Sequence, residues 1–337
     1  MTRVAVVGAG QFGAQHARVY RELPDAELAG VYDADPARAR AVAAQFGCRL
    51  LASLDEVAEQ AQAASIAVPT REHAAVGCAL LARGLDVLVE KPIASTLGDA
   101  DRLIAAARDA RRLLQVGHLE RYNPAVVATQ KIVSRPLFFE VHRLSLFTSR
   151  SLDVDVVLDL MIHDLDIVLT LVDSRLEEVR AVGLPVLSPR VDIANARLAF
   201  ENGCVANFTA SRVSTERVRK LRFFQPREYV SVDYSRQEAV VFSVQDGALQ
   251  TSAEASRLAG TPCAAAGPGI GFRKLETQAE EPLRAELRDF LRSVATRAQP
   301  LVDGCAARRA LETALAVAAS IEEHARRLRL APQAASP

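Results

Sequence analysis

An excess of charge of either sign is missing from this sequence. In 337 residues, 41 Lys and Arg balance 41 Asp and Glu, and the net charge is zero. That excludes the strongly basic surface on which nucleic-acid binders rely, and the acidic imbalance of a solvating tail. Cysteine is also sparse. Cys48, Cys78, Cys204, Cys263 and Cys305 are odd in number and never spaced C-x-x-C. Neither a disulfide framework nor a metal site is therefore expected, and scattered thiols fit a reducing, cytoplasmic setting. No apolar run approaches the ~18 residues needed to cross a bilayer. Met1-Thr2-Arg3 leads straight into a strand-like segment, so no signal peptide is expected. There is no internal repeat. Half of the residues are apolar, and at roughly 100–200 residues per domain the length suggests two domains.

Residues 1–119 alternate short β-branched runs with helical stretches. Strands are expected at Arg3–Val7, Glu27–Asp33, Ser65–Val68, Asp86–Glu90 and Leu113–Val116, with helices such as Gly13–Leu23 and Pro36–Phe46 between them. This rhythm predicts a parallel sheet covered on both faces. From residue 120 to 337 the pattern changes. Leu137–Phe147, Leu176–Leu187, Asp192–Phe200, Cys204–Arg212, Arg219–Gln225 and Glu228–Tyr234 read as successive strands. Asn202-Gly203 centres a two-residue hairpin. Ala206, Phe208 and Ala210 alternate with Asn207, Thr209 and Ser211, which predicts an antiparallel sheet with one polar face. One helix, Val156–Val172, interrupts the strands; residues 252–275 read as a long loop. Helices near Pro282–Arg297 and Cys305–Leu328 close the chain, and the last one is expected to pack back on the first domain. The fold class is α/β: a dinucleotide-binding domain over 1–119 and an α+β domain over 120–337, which would bind substrate and form oligomers.

Gly8-Ala9-Gly10-Gln11-Phe12-Gly13 fits G-x-G-x-x-G directly after the first strand. Its glycines would serve a tight turn, close approach of backbone to a pyrophosphate, and close helix packing. The helix N-terminus would face the phosphates. Asp33 stands twenty residues after Gly13, where a carboxylate would hold ribose hydroxyls and repel a 2′-phosphate, favouring NAD over NADP. Two readings stay open: Asp33 as a plain turn residue, and Arg38 and Arg40 as a phosphate site. Glu90-Lys91-Pro92 follows a strand whose C-terminal end would face the ligand crevice. On the helix Val156–Val172, Asp159, His163 and Asp166 are spaced i, i+4 and i+7, sharing one face of an otherwise apolar element. A histidine oriented by a carboxylate is a general-base arrangement. Mutual satisfaction inside a core is the structural alternative.

In order along the chain come G-x-G-x-x-G, Glu90-Lys91-Pro92, Gly117-His118 running into Arg121-Tyr122-Asn123-Pro124, Asp159-x3-His163-x2-Asp166, and the helix start Pro282-Leu283-Arg284-Ala285-Glu286-Leu287. This ordered set resembles the Gfo/Idh/MocA oxidoreductase family over nearly the whole chain. The resemblance implies a Rossmann domain, a second domain with a large, mostly antiparallel open sheet, and hydride transfer at a sugar or polyol carbon. It implies that Lys91 and His163 flank the reacting carbinol, His163 as base and Lys91 stabilising the alkoxide. Asp159 would orient His163 or contact the substrate. Gly8, Gly10, Gln11, Phe12, Gly13, Asp33, Pro69, Thr70, Glu90 and Lys91 would hold the cofactor, with a helix cap as the alternative for Thr70. Arg121 and Asn123 would sit at the mouth of the site; His118 stays outside the catalytic set.

Residues 117–126 and 149–164 further resemble a subgroup that oxidises the 3-hydroxyl of UDP-N-acetylglucosamine, so that an aminotransferase can install nitrogen for lipid A. A UDP-sugar needs cations for its diphosphate, and Arg143, Arg150 and Arg212 are candidates, with an ordinary sheet-surface arginine as the alternative for each. The alternatives are a dehydrogenase of free inositol or aldose, and a non-catalytic NAD-binding sensor. By the same resemblance a homo-oligomer, dimer or tetramer, is expected.

Overall fold

Strand β1 (Thr2–Val7) carries Val4, Ala5, Val6 and Val7 in succession, and all four are completely buried in this computed structural model. Only a central strand covered on both faces hides consecutive side chains in this way. The structure describes residues 1–147, 154–244 and 270–328, which fall into two compact units.

The first unit comprises Met1–Tyr122 and Glu280–Thr313. After β1 come α1 (Gln11–Glu22), β2 (Ala26–Tyr32), α2 (Pro36–Phe46), β3 (Arg49–Leu50), α3 (Leu54–Gln60) and β4 (Ala63–Ile66). Then follow α4 (His73–Ala82), β5 (Asp86–Glu90), α5 (Leu97–Asp109) and β6 (Leu114–Gly117). The strands are parallel in the order β3-β2-β1-β4-β5-β6, the doubly wound arrangement whose switch point lies between β1 and β4. Helix starts follow local chemistry. Asp35 accepts the N–H of Ala37 with Pro36 at the first helical position of α2, and Thr96 accepts the N–H of Asp99 to begin α5.

The helix Pro282–Thr296, α8 here, also belongs to this unit. Its Leu287, Phe290 and Leu291 are buried in one cluster with Val4, Val6, Val19 and Tyr20. Apolar residues at i, i+3 and i+4 thus tie a late segment to the first sheet, and the unit gains Glu280–Thr313 relative to the expected boundary at 119.

The second unit comprises Asn123–Ala279 and Ala314–Pro337. It holds α6 (Pro124–Gln130), β7 (Phe138–Leu146), α7 (Ile162–Val172), β8 (Leu176–Leu184), β9 (Ile193–Phe200) and β10 (Val205–Ser214). These lead to β11 (Val218–Gln225), β12 (Glu228–Asp233), β13 (Glu238–Val244) and β14 (Ile270–Lys274). Eight strands form one sheet in the order β14-β13-β12-β11-β7-β10-β9-β8, antiparallel except where β7 and β10 run parallel. The Asn-Gly hairpin joins β9 to β10, with Gly203 at φ +83°. Strand β14 occupies part of the expected loop over 252–275, and β13 adds a strand where none was expected; residues 252–269 lie outside the described residues. Before α7 the backbone makes a π turn, Val157–Met161, rather than the regular helix expected from Val156. The final helix α9 (Gly304–Arg327) begins in the first unit's span and ends in the second's. Among the described residues no helix is long and apolar enough to cross a membrane.

Candidate active site

In the first unit the glycine loop lies at the end of β1. Gly8 has φ +102°, and a Cβ there would meet the Ala67 carbonyl oxygen at 2.5 Å. A Cβ on Gly13 would meet the Gly8 oxygen at 1.8 Å, so these two positions admit only glycine. Gly10 is the opposite case: nothing lies within 4 Å of its built Cβ, leaving open space beside the loop. Gly10 stands at the N-cap of α1 in an extended conformation and makes no side-chain cap hydrogen bond. A helix N-terminus beside a glycine with open space next to it is the arrangement that admits a pyrophosphate, so the residues present fit a dinucleotide. Gln11 and Phe12 are exposed at the head of this helix.

Asp33 follows β2 and is half-buried. Its Oδ2 accepts the N–H of Ala9 at 2.6 Å, and Oδ1 accepts that of Asp35 at 2.8 Å. The carboxylate is thereby fixed against the glycine loop, and each oxygen keeps a lone pair for a further donor. Arg38 is exposed and pairs with Asp35 at 3.1 Å. Pro69 is exposed at the end of the β4 loop, and Thr70 opens a short 3-10 turn that has no side-chain cap.

The Glu90-Lys91-Pro92 turn is held from both sides. Lys91 is half-buried and joined to Pro92 by a cis peptide bond. Glu90 points inward: Oε1 accepts from His16 Nε2 at 2.9 Å, and Oε2 accepts the N–H of Lys91 at 3.2 Å. Burial pushes the Glu90 carboxyl up, but the His16 hydrogen bond and charge, with the charge and N–H of Lys91, outweigh burial and hold it below the usual carboxylate range. On the other side His73 reaches the Pro92 oxygen with Nδ1 at 2.9 Å and the Val68 oxygen with Nε2 at 3.0 Å. Burial lowers its pKa against those carbonyls and Glu90. Glu286, on α8, is fully buried and pushed well above the carboxylate range by burial, then by Glu90 and Asp289. Sequence reasoning missed His16, His73 and Glu286.

In the second unit, Asp159 lies within the π turn and His163 in the first turn of α7. Both are half-buried, whereas Asp164 and Asp166 are buried, at 2% and 3% exposure. The chain therefore separates two half-buried residues, Asp159 and His163, from two core carboxylates. A π turn is a frequent device for re-aiming side chains at functional positions.

Several expected substrate residues have other work. Arg143 is buried and grips Asp164 bidentately at 2.7 and 2.9 Å, with its guanidinium 5.3 Å from the centre of the Tyr234 ring. Arg212 is buried, donates to the Val154 carbonyl and lies 3.7 Å from Asp192. Inward-facing strand positions explain both: each sits among core residues where a cation must be paired. Arg121 and Asn123, expected at a site mouth, are buried at 5% and 2% exposure. Asn123 caps α6 through the Ala125 N–H and donates to the Tyr234 carbonyl at 3.0 Å. Arg150 lies outside the described residues.

Comparison with known proteins decides the family. The family model GFO_IDH_MocA, an oxidoreductase family with an NAD-binding Rossmann fold, matches residues 2–118, and the model of the family's C-terminal domain matches 129–227. The chain is 36% identical over 321 residues to UDP-N-acetylglucosamine 3-dehydrogenase of Acidithiobacillus ferrooxidans, covering 95% of this chain and 97% of that protein. It belongs to the Gfo/Idh/MocA oxidoreductase family. The crystal structure of that Acidithiobacillus enzyme superposes with a TM-score of 0.87 at 35% identity, over 96% of this chain and 98% of its own. Inositol 2-dehydrogenase of Acidothermus cellulolyticus is 31% identical over 196 residues, 53% of this chain and 56% of its own length. A putative myo-inositol dehydrogenase from Sinorhizobium meliloti shares the fold, with a TM-score of 0.77 at 20% identity over 96% and 98% of the two chains. The family resemblance and the α/β fold expected from the motifs both hold. The chain is an oxidoreductase of CH–OH groups that takes a nicotinamide dinucleotide.

Proposed function

We propose that this enzyme oxidises the 3-hydroxyl of UDP-N-acetylglucosamine to a ketone, with NAD as the preferred cofactor. The observation that carries the reading is full-length likeness to an enzyme of that name, 36% identical across 95% of the chain; the inositol enzyme matches about half. NAD supplies the hydride acceptor. The glycine loop and the α1 N-terminus bind its pyrophosphate, and Asp33 accepts its ribose hydroxyls while repelling a 2′-phosphate. His163 takes the hydroxyl proton as hydride departs from the same carbon. Asp159, near it in sequence and likewise accessible, orients His163 or contacts the sugar. Lys91 donates to the oxygen as it gains charge, and Glu90 holds the backbone from which Lys91 extends.

One observation favours a free polyol as substrate: Arg143 and Arg212 are committed to Asp164 and Asp192, so neither is spare for a diphosphate. A panel of UDP-N-acetylglucosamine, its uronic acid, myo-inositol and glucose, incubated with NAD and read by mass spectrometry for loss of two hydrogens, separates the two readings. An aminotransferase dependent on pyridoxal phosphate would consume the ketone in amino-sugar synthesis for lipid A, in the cytoplasm.

The enzyme would work as a homo-oligomer. Phe138, Phe224, Tyr229, Phe242 and Phe272 form a continuous ladder across five strands of the second sheet, with neighbouring ring centres 5.0–5.8 Å apart. Phe224 is 38% exposed, and an apolar stripe of that length is suited to meeting a second copy. Light scattering of the purified chain tests this.

A further inference from the structure

Glu90 is a buried anion one residue from the lysine to which the proposed mechanism assigns alkoxide stabilisation. A charge in that position persists only if it is held, and three features on different elements accommodate it. His16, completely buried on α1, meets Oε1 at 2.9 Å. The Lys91 N–H meets Oε2. Gly117, the register partner of Glu90 on β6, leaves room for the carboxylate; a Cβ there would meet its Cδ and Oε1 at 3.0 Å. Glu286 on α8 hydrogen-bonds through neither carboxyl oxygen among the described residues, and the charge of Glu90 adds to burial in pushing its carboxyl up.

His16 is distinctive among these. It lies one turn beyond Gly13, on the helix whose N-terminus the glycine loop opens. Its hydrogen bond therefore joins the cofactor-binding helix to the turn that carries the catalytic candidate.

We propose that His16 is a positioning residue for Lys91, acting through its hydrogen bond to Glu90. The glycine-loop helix and the Glu90-Lys91-Pro92 turn then move as one body, and cofactor bound at the first is in register with the ammonium group extending from the second. His73 fixes the far side of the same turn through the Pro92 carbonyl. The role assigned to Lys91 rests on the proposed function; the mechanical link does not.

The experiment compares wild type with His16→Leu, His16→Gln and His16→Asn. Leucine fills the space without a donor. Glutamine carries an N–H at about the reach of Nε2, and asparagine is too short to meet Glu90. Thermal melting shows which variants fold; if His16→Leu does not, the glutamine–asparagine pair makes the same comparison.

The first readout needs no substrate. The chain has four lysines, Lys91, Lys131, Lys220 and Lys274, so acylation by an amine-reactive ester can be assigned site by site from peptide masses. Expected is a change of ~3-fold or more in Lys91 labelling relative to the other three in His16→Leu and His16→Asn, with His16→Gln close to wild type. The second readout is kcat at saturating NAD: a fall of ~10-fold or more for leucine and asparagine, recovered to within ~3-fold by glutamine, while NADH affinity by fluorescence changes by less than ~3-fold. Unchanged Lys91 labelling overturns the proposal. So does equal impairment by glutamine and leucine, or a loss confined to NADH affinity. A wild type that turns over no sugar refutes the proposed function alone, and the labelling comparison still decides the role of His16.

Discussion

Replacing Glu286 by glutamine should stabilise the protein, and by more as the pH rises. Glu286 is fully buried, its carboxyl pushed well above the ordinary range by burial and by the charges of Glu90 and Asp289. The folded chain thus keeps a proton that the unfolded chain releases above its ordinary carboxylate pKa. Raising the pH then favours the unfolded state, because only there does Glu286 ionise in water. One proton of difference changes stability by roughly 1.4 kcal/mol per pH unit, from the unfolded pKa until the folded carboxyl itself titrates. The loss sets in above the unfolded carboxylate range and continues until the folded carboxyl titrates, against the ~5–15 kcal/mol that holds a typical protein together. Glutamine has the same shape and no such proton. Urea unfolding of both proteins at several pH values, followed by circular dichroism, gives the difference directly, since all other titrating groups are shared. It should be small near pH 4 and grow in favour of Glu286→Gln as the pH rises. Parallel curves, or a variant uniformly less stable, would refute a raised carboxyl at this position.

The remaining predictions concern the chemistry. His163→Ala should lower kcat by at least ~10²-fold, the usual worth of a general base; an unchanged rate in steady-state kinetics removes it from that role. Lys91→Ala should impair kcat far more than NAD binding, whereas the reverse pattern in kinetics and calorimetry would make Lys91 a cofactor ligand. Asp33→Ala should weaken NAD and relax discrimination against NADP. A kcat/KM ratio for the two cofactors equal to that of wild type would discard the cofactor preference.

Much of the first unit was legible because its signals are local. The run Val4–Val7 requires a covered strand, and Gly8 and Gly13 require a backbone that no other residue allows. The Asp33 carboxylate follows β2 and accepts the Ala9 N–H, a contact the spacing did not announce. Strand β3 escaped because two residues carry no periodicity, and β14 because its segment is rich in Gly, Ala and Pro. The His16–Glu90 link joins positions 74 residues apart, and no pattern within one helix announces it. Glu286 left a trace: it stands between Leu283 and Leu287 on the face that buries Leu287 and Phe290, an acid where an apolar residue is due. Arg143 was also there to be read. It alternates with Phe139 and Val141, both buried on β7, so its guanidinium had to find Asp164 rather than a phosphate. The π turn before α7 has no comparable signature, since the sequence there reads as an ordinary amphipathic helix.

The most direct test of the substrate and the carbon uses UDP-N-acetylglucosamine carrying deuterium at C3, incubated with purified enzyme and NAD. If the 3-hydroxyl is oxidised, the deuterium leaves as hydride, and mass spectrometry finds it in the reduced cofactor while the sugar nucleotide loses it together with one proton. Reduced cofactor without deuterium would place the oxidation at another carbon. No reduction with this substrate, alongside reduction with myo-inositol, would contradict the sugar-nucleotide assignment and favour the polyol reading.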